Sequence, residues 1–269
     1  MTIEDDQWME AYKAILKSLA QKRVLLFYSG GKDSSLCMDL MHHASKKFNF
    51  SFEAHAGAFP KHRYNREERN RLDRYWQERG IPINWHEFAE KDADLEGTQN
   101  PCLLCQQIRK RLLFQIVQDR AEDMEKLVLV PAFSLWDLVS YALEHILSDR
   151  LSQEEKPALD QDMQRFHETA QRFYPHLKMQ EGYEVFRPLI RFNRPDIVES
   201  LVERKIPTLS IPCDFSSFRP KRLLQNYYQQ MGLHFSYDSL LSFARKSLDL
   251  PSPSRYTSLD KGEYLRKVF

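Results

Sequence analysis

The chain has 269 residues, of which 42% are hydrophobic and 29% charged, a composition typical of a globular protein large enough to bury a full core. Its 39 Lys and Arg residues nearly balance its 38 Asp and Glu residues, so overall charge does not indicate a nucleic-acid partner, although basic stretches occur at 61–79, 109–111 and 219–222. The acidic, amphipathic N-terminal segment and the lack of a run of about 18 apolar residues argue against export and membrane spanning, and we expect a cytoplasmic protein.

In chain order, the predicted elements alternate between helices and strands. An amphipathic helix at residues 4–20 comes first. Runs of β-forming residues then predict strands at 24–28, 51–58, 83–88, 127–130 and 183–190. Helical patterns lie at 33–44, 65–79, 102–120, 135–147 and 195–205, with a further helix around 160–173 and a tail from residue 251.

This alternation predicts a doubly wound α/β fold with a mainly parallel sheet, helices on both faces and helical additions at both ends. We expect an N-terminal helix at residues 1–22, a central domain at 23–225 and a C-terminal extension at 226–269. Ligands of such sheets bind outside the carboxyl ends of the strands. The segment directly after the first strand is therefore the first candidate site.

That segment reads Ser-Gly-Gly-Lys-Asp-Ser-Ser from Ser29 to Ser35. A turn with Gly30 and Gly31 lets backbone N–H groups approach an anion, and the following helix directs its positive end to the same place. Lys32 and the hydroxyl groups of Ser29, Ser34 and Ser35 can bind phosphate oxygens. The Walker A spacing cannot be laid on these residues, so this is a different phosphate loop.

The segment resembles the PP-loop of the ATP pyrophosphatase superfamily, whose signature is SGGxDS. Every signature position is present, as Ser29, Gly30, Gly31, Asp33 and Ser34. The resemblance implies that the loop, with Lys32 and Ser35, binds the β,γ-pyrophosphate of ATP while AMP is transferred. It also implies that Asp33 helps to place Mg²⁺ on the phosphates, and a carboxylate with phosphate oxygens is a usual Mg²⁺ environment.

A second pattern involves three of the four cysteines. Cys102 and Cys105 lie three residues apart at a predicted helix start, and Cys213 follows an Ile-Pro pair. Three thiolates could bind Zn²⁺ with a His or water, or bind a [4Fe–4S] cluster with one open iron, or supply a redox disulfide. Three unrelated buried cysteines are the fourth interpretation, and spacing does not choose among them. Cys37 has no sequence partner and is predicted to fill the core.

The combination of motifs resembles the tRNA 2-thiocytidine synthetase family of tRNA thiolases. The matching segments are the PP-loop, Pro101 to Arg111 with its CxxC pair, Phe186-Arg187-Pro188-Leu189, and Ile211-Pro212-Cys213. The resemblance implies that Cys102, Cys105 and Cys213 ligate a [4Fe–4S] cluster whose open iron delivers sulfide, with zinc as the alternative metal.

The same resemblance implies that ATP adenylates a base carbonyl and that sulfur then replaces the oxygen. It implies tRNA as the substrate, with Arg109 and Arg111 on its phosphates, a sulfur donor protein or free sulfide, and a homodimer.

One segment departs from the family pattern. The family has Gly-His-x-x-Asp-Asp after its fourth strand, but residues 131–137 here read Pro-Ala-Phe-Ser-Leu-Trp-Asp, and only Asp137 remains. Asp137 is predicted either to face ATP as a catalytic group beside Asp33 or to cap a helix. Phe133 and Trp136 are expected to change what the pocket accepts. Alternatives are therefore a sulfur transferase for a small molecule, a ligase with structural Zn²⁺, and a non-catalytic ATP-binding iron–sulfur module.

Overall fold

The computed structural model describes residues 2–119, 124–147, 169–179 and 182–258. Within this part of the chain, the strands form one six-stranded sheet in the order β3-β2-β1-β4-β6-β5. All neighbouring strands are parallel except the pair β5 and β6. The strands are β1 (Arg23–Phe27), β2 (Phe52–Gly57), β3 (Ile83–His86), β4 (Leu127–Val130), β5 (His176–Lys178) and β6 (Glu184–Phe186).

The helices connect these strands and add layers at both ends of the chain. They are α1 (Asp5–Ala11), α2 (Lys13–Ser18), α3 (Lys32–Phe48), α4 (Arg66–Gln77), α5 (Ala93–Glu96), α6 (Pro101–Asp119), α7 (Leu135–His145), α8 (Arg194–Glu203), α9 (Pro220–Gln230), α10 (Tyr237–Ser247) and α11 (Pro253–Thr257). Among the described helices, none has the length and apolar content that a bilayer crossing requires.

Alternate side chains of the central strands supply the two halves of the core. Val24 and Leu26 of β1 pack in one buried cluster, which also includes Trp8 of α1. Leu25 of β1 and Leu129 of β4 pack in a second cluster, which extends to the C-terminal helices. Because successive strand residues point to opposite faces, the two clusters cover the two sides of the sheet. The predicted doubly wound, mainly parallel α/β fold is confirmed.

The elements differ from the predictions in several places, three of which concern the N-terminal helix and the sheet. The N-terminal helix predicted at 4–20 is two helices that meet at Tyr12 and end in a 3₁₀ turn. The edge strand β5 and its antiparallel pairing with β6 were not predicted, because three residues with one buried side chain are too short to show a period. The strand predicted at 183–190 ends at Phe186.

The N-terminal helices dock on the chain's own core. The Trp8 indole donates a hydrogen bond of 3.1 Å to the Pro188 carbonyl, and the Ile3 amide donates one of 2.8 Å to the Ser200 hydroxyl. Of the helix predicted around 160–173, residues 160–168 lie outside the described part, and 171–173 form a 3₁₀ turn. In the predicted C-terminal tail, 253–257 are helical and 259–269 are not described. The division at residues 22 and 225 stays a prediction.

Candidate functional site

The phosphate loop lies between the end of β1 and the start of α3. Gly30 has a φ of +65°, which an L-residue rarely adopts, and its carbonyl accepts a 2.7 Å hydrogen bond from the Leu209 amide. A Cβ atom at Gly30 would lie 2.7 Å from Leu209 Cγ, so the position has no room for a side chain. Gly31 is the N-cap of α3 in an extended conformation. The loop therefore presents backbone N–H groups at a helix N-terminus, which favours an anion.

The serine hydroxyl groups of the loop have two different environments. Ser29 Oγ and Ser34 Oγ lie 3.0 Å apart, and Ser34 Oγ also accepts a hydrogen bond from the Ser29 amide and donates one to the Gly31 carbonyl. Ser35 is fully buried and lies 3.4 Å from the Tyr28 hydroxyl. Ser29 and Ser34 shape the loop, and Ser35 faces the core in this structure.

Two lysine–carboxylate pairs lie beside the loop. Lys32 Nζ is 2.6 Å from Asp33 Oδ1 at the start of α3, and Lys221 Nζ from α9 is 2.6 Å from Asp137 Oδ1 at the start of α7. Asp33 follows β1 and Asp137 follows β4, which are neighbours at the point where the strand order reverses. This is where doubly wound sheets bind their ligands.

Each carboxylate responds to the charges of both pairs. Burial raises the pKa of Asp33 above its usual value, and the charge of Asp137 adds to this, although Lys32 acts in the opposite direction. Burial also acts to raise the pKa of Asp137, but Lys221 and Lys32 hold that pKa below its usual value. The four side chains therefore form one electrostatic network that contains two positive and two negative groups.

Asp137 caps α7, which is one of the two roles that the sequence left open, and its catalytic role stays a prediction. Its Oδ2 atom accepts hydrogen bonds from the Ser134 amide at 2.8 Å and the Ser134 hydroxyl at 3.0 Å, which caps α7. Its Oδ1 atom faces Lys221 and accepts a 3.1 Å hydrogen bond from Gln225. One oxygen is thus committed to the helix cap, and the other faces the charged network.

Three cysteine thiols form a second group beside one arginine. Cys102 and Cys105 lie at the start of α6, Cys213 lies in the loop before α9, and all three are buried free thiols. The Cys102 thiol donates a 3.0 Å hydrogen bond to the Phe215 carbonyl. Burial acts to lower the pKa of Arg219, but a hydrogen bond to Cys102 and the charges of all three thiols raise it. Cys37 lies apart in the main core, as predicted, and burial raises the pKa of its thiol.

The thiols do not converge on one point. Within the described ranges, no three His, Cys, Asp or Glu side chains are arranged to hold a metal ion. Ligands of a single zinc ion must converge, whereas the cysteines of an iron–sulfur cluster bind separate iron atoms around a larger volume. Both a cluster and a zinc ion stay predictions for the three thiols around Arg219. The assignment of Cys102, Cys105 and Cys213 as ligands stays a prediction.

One stretch of chain connects the phosphate loop with the cysteines and with Asp137. This stretch, residues 208–221, is called the bridging segment. It contacts the phosphate loop through Leu209, carries Cys213, contacts Cys102 through Arg219, and ends at Lys221 on Asp137. The bridging segment therefore connects the two groups of candidate residues, which are far apart in the sequence.

The two arginines predicted to bind substrate phosphates point to different surroundings. Arg109 is half-buried and lines a cavity of about 50 Å³ together with Ser29 and His55. Arg111 is exposed and pairs with Glu90 at 2.6 Å. Arg109 is thus next to the phosphate loop, and Arg111 is on the surface. A shared phosphate contact for the pair stays a prediction.

The chain was compared with known protein families, sequences and structures. No protein-family model and no curated protein sequence matches the chain. Among solved structures, the U34-tRNA thiolase NcsA from Methanococcus maripaludis, solved with its [4Fe–4S] cluster, aligns with a TM-score of 0.58 at 17% identity, covering 92% of this chain and 81% of that chain. This chain therefore shares its fold with that thiolase.

Two further structures align with TM-scores below 0.5. The NH3-dependent NAD synthetase from Campylobacter jejuni has a TM-score of 0.43 at 13% identity, covering 94% of this chain and 90% of that chain. The NMN synthetase from Francisella tularensis has a TM-score of 0.45 at 12% identity, covering 99% and 92%. The activity is therefore argued from the site itself.

One expectation about the segment at 131–137 is corrected by the structure. Trp136 does not face the pocket: it is 1% exposed, and its indole donates a 3.1 Å hydrogen bond to Asn193. The expectation that Trp136 changes pocket selectivity was wrong, because the helical turn directs this side chain into the core. Phe133 is half-buried, with the Arg172 guanidinium 4.8 Å from its ring centroid.

The sequence analysis did not identify three residues that contact the candidate site residues or the bridging segment: Lys221, Arg219 and Glu68. Lys221 and Arg219 lie in the basic stretch at 219–222, and charge alone did not separate buried partners from a solvated surface. Glu68 lies in the basic stretch at 61–79, but it is buried and accepts hydrogen bonds from Ser210. A signal for it was the helix period, which places Glu68 on the same face as Leu72.

Proposed function

We propose that this chain is an ATP-dependent sulfur transferase that releases AMP and pyrophosphate and thiolates a tRNA base. The observation that carries the proposal is the bridging segment, which contacts the phosphate loop and Asp137 and carries both Cys213 and Arg219. An ATP site alone would serve many ligases. Thiols beside it are what a sulfur transfer requires.

The nucleotide half of the site follows from the loop and the carboxylates. The N–H groups of Gly30 and Gly31 at the start of α3 and the ammonium group of Lys32 bind phosphate oxygens of ATP. Asp33 and Asp137 Oδ1 supply carboxylate oxygens for Mg²⁺, and phosphate oxygens and water complete its shell. The residues present fit this ion, because the two carboxylates lie in one electrostatic network at the strand ends.

The reaction balances with sulfide as the second substrate. A carbonyl oxygen of the base attacks the α-phosphorus of ATP, and pyrophosphate leaves. Sulfide then attacks the carbon of that carbonyl group, and AMP leaves with the original oxygen. No oxidant or reductant is needed. Free sulfide supplies the sulfur, or a donor protein that carries sulfur at the same oxidation level, as a thiocarboxylate does.

Cys102, Cys105 and Cys213 would hold the [4Fe–4S] cluster, which supplies an iron coordination position for sulfide when it is bound. The chain's own residues around it exclude water, since Phe59, Leu95 and Ile108 form a buried cluster with Cys105. Arg219 supplies positive charge next to the thiols.

The test is a comparison of thiolated nucleosides in total tRNA from a strain that lacks this gene and from its parent, measured by mass spectrometry. We expect one thiolated species to disappear, and to return with the wild-type gene and with Cys37→Ala but not with Cys213→Ala. Purified protein should in parallel convert ATP to AMP and pyrophosphate. An unchanged nucleoside profile would refute tRNA as the substrate.

A small molecule is the second candidate substrate. It is favoured by the near-neutral charge of the chain and by the loss of the Gly, the His and the first Asp of the family segment at 131–137. Binding of tRNA through phosphates weakens steeply with salt. A transferase for a small molecule would show AMP and pyrophosphate release with no such salt dependence.

A further inference from the structure

Lys221 occupies a position that the PP-loop signature does not include. It lies in the first turn of α9, its Nζ is 2.6 Å from Asp137 Oδ1, and its ammonium group is 5.4 Å from the centroid of the Tyr141 ring. Its side chain is 33% exposed. The ammonium group is therefore held by one carboxylate and one aromatic ring while part of the side chain stays open to solvent.

Lys32 has the same arrangement on the other side of the network. Its ammonium group contacts Asp33, and both side chains are 23% exposed. The charge of Lys221 acts on Asp33, and the charge of Lys32 acts on Asp137. Because β1 and β4 are neighbouring strands, both lysines lie at the same edge of the sheet.

This pairing is complementary to a magnesium nucleotide. In the free protein each carboxylate is neutralised by a lysine, and in a complex each carboxylate can be neutralised by Mg²⁺ while each lysine is neutralised by phosphate. An exchange of partners keeps every charge paired, so no buried charge is left without a counter-charge.

Asp137 is built for such an exchange at one oxygen. Its Oδ2 atom keeps the two hydrogen bonds from Ser134 that cap α7, and its Oδ1 atom keeps the hydrogen bond from Gln225. Loss of Lys221 from Oδ1 thus leaves the carboxylate fixed in place and opens one lone-pair direction to a cation.

We propose that Lys221 is a nucleotide-binding residue, which leaves Asp137 and binds a phosphate oxygen of ATP when Asp137 Oδ1 binds Mg²⁺. Arg172 adds positive charge to the same place, because its guanidinium lies 4.8 Å from the Phe133 and Tyr141 ring centroids and Tyr141 also contacts Lys221. This inference rests on the proposed function only in that ATP is the ligand. It concerns binding and does not depend on sulfur transfer.

The experiment measures equilibrium binding of Mg·ATP and of adenosine to the full chain by titration calorimetry. A charge-assisted hydrogen bond is worth about 1.5–3 kcal/mol, so we expect Lys221→Met to weaken Mg·ATP binding roughly 10- to 100-fold and to leave adenosine binding unchanged. Lys221→Arg should retain most of the ATP affinity. Arg222→Met, an exposed neighbour on the same helix, is the matched control and should bind like the wild type.

Two outcomes would overturn the inference: unchanged ATP binding in Lys221→Met, or an equal loss for ATP and adenosine, which would show a structural role. If Lys221→Met does not fold, the double variant Asp137→Asn/Lys221→Met replaces both charges of the ion pair and leaves no unpaired charge. The ratio of its ATP affinity to its adenosine affinity is then measured in the same way. Wild-type protein that binds Mg·ATP but releases no AMP would refute the proposed function and leave this inference standing.

Discussion

Glu68 fixes the bridging segment to α4, and its replacement should cost stability. The carboxylate is 7% exposed and accepts hydrogen bonds from the Ser210 amide at 2.8 Å and the Ser210 hydroxyl at 2.7 Å. It also pairs with Arg71 at 2.8 Å. Burial alone would raise its pKa, but Arg71 and Ser210 together lower the pKa of Glu68 to about 2.

The magnitude follows from linkage between protonation and folding. A pKa of about 2 against an ordinary value of about 4.3 corresponds to about 3 kcal/mol at neutral pH. Arg71 is 41% exposed, so solvent screens its part of the interaction, and we expect about 2 kcal/mol. Because the folded-state pKa is depressed, this stability is present above about pH 4.3 and is lost as the pH falls toward 2.

The assay is urea unfolding of Glu68→Gln and wild type at several pH values from 7 to 3. We expect the variant to be less stable by about 2 kcal/mol at pH 7 and the difference to narrow as the pH falls below about 4.3. The control is Glu67→Gln, because Glu67 is the exposed neighbour on the same helix. Equal stability of Glu68→Gln and wild type at pH 7, or a deficit that does not change with pH, would refute the reasoning.

Two further predictions concern the phosphate loop and the cysteines. Gly30→Ala should lower the free energy of unfolding in urea by at least about 2 kcal/mol and weaken ATP binding, since φ is +65° and the new Cβ would lie 2.7 Å from a leucine side chain. The control is Gly80→Ala, which has a φ of +75° but open space around the new Cβ, and it should lower the free energy of unfolding by only about 1 kcal/mol. Cys105→Ser should lose iron and its visible absorption after anaerobic reconstitution, while Cys37→Ser keeps both; retention of iron by Cys105→Ser would remove that cysteine from the ligand set.

The phosphate loop could be predicted from sequence because its geometry is local. Two glycines after a β-forming run, followed by a helical pattern, specify a turn and a helix N-terminus within seven residues, Ser29 to Ser35. The positive φ at Gly30 and the helix start at Lys32 agree with this prediction. The alternation of strands and helices predicted the parallel sheet for the same reason, since each pattern depends on near neighbours.

That Cys102, Cys105 and Cys213 form one group was predicted from resemblance to a family and not from their spacing. Cys213 lies more than 100 residues after Cys102, and no local pattern connects them. The structure brings both thiols to Arg219 because the bridging segment is attached to the phosphate loop by Leu209 and to α4 by Glu68. Whether they hold a cluster stays a prediction that iron analysis can test.

The sequence by itself determined that the sheet is mainly parallel, where the phosphate loop lies and which helix follows it. These features depend on backbone preferences and side-chain periods over a few residues. Only the tertiary structure decided that Lys221 faces Asp137, that Glu68 is buried and that Trp136 points into the core. Each of these depends on which helix ends meet at the edge of the sheet. The energy of a charge depends on its burial and its neighbours, and those are set by contacts between residues that are distant in the chain.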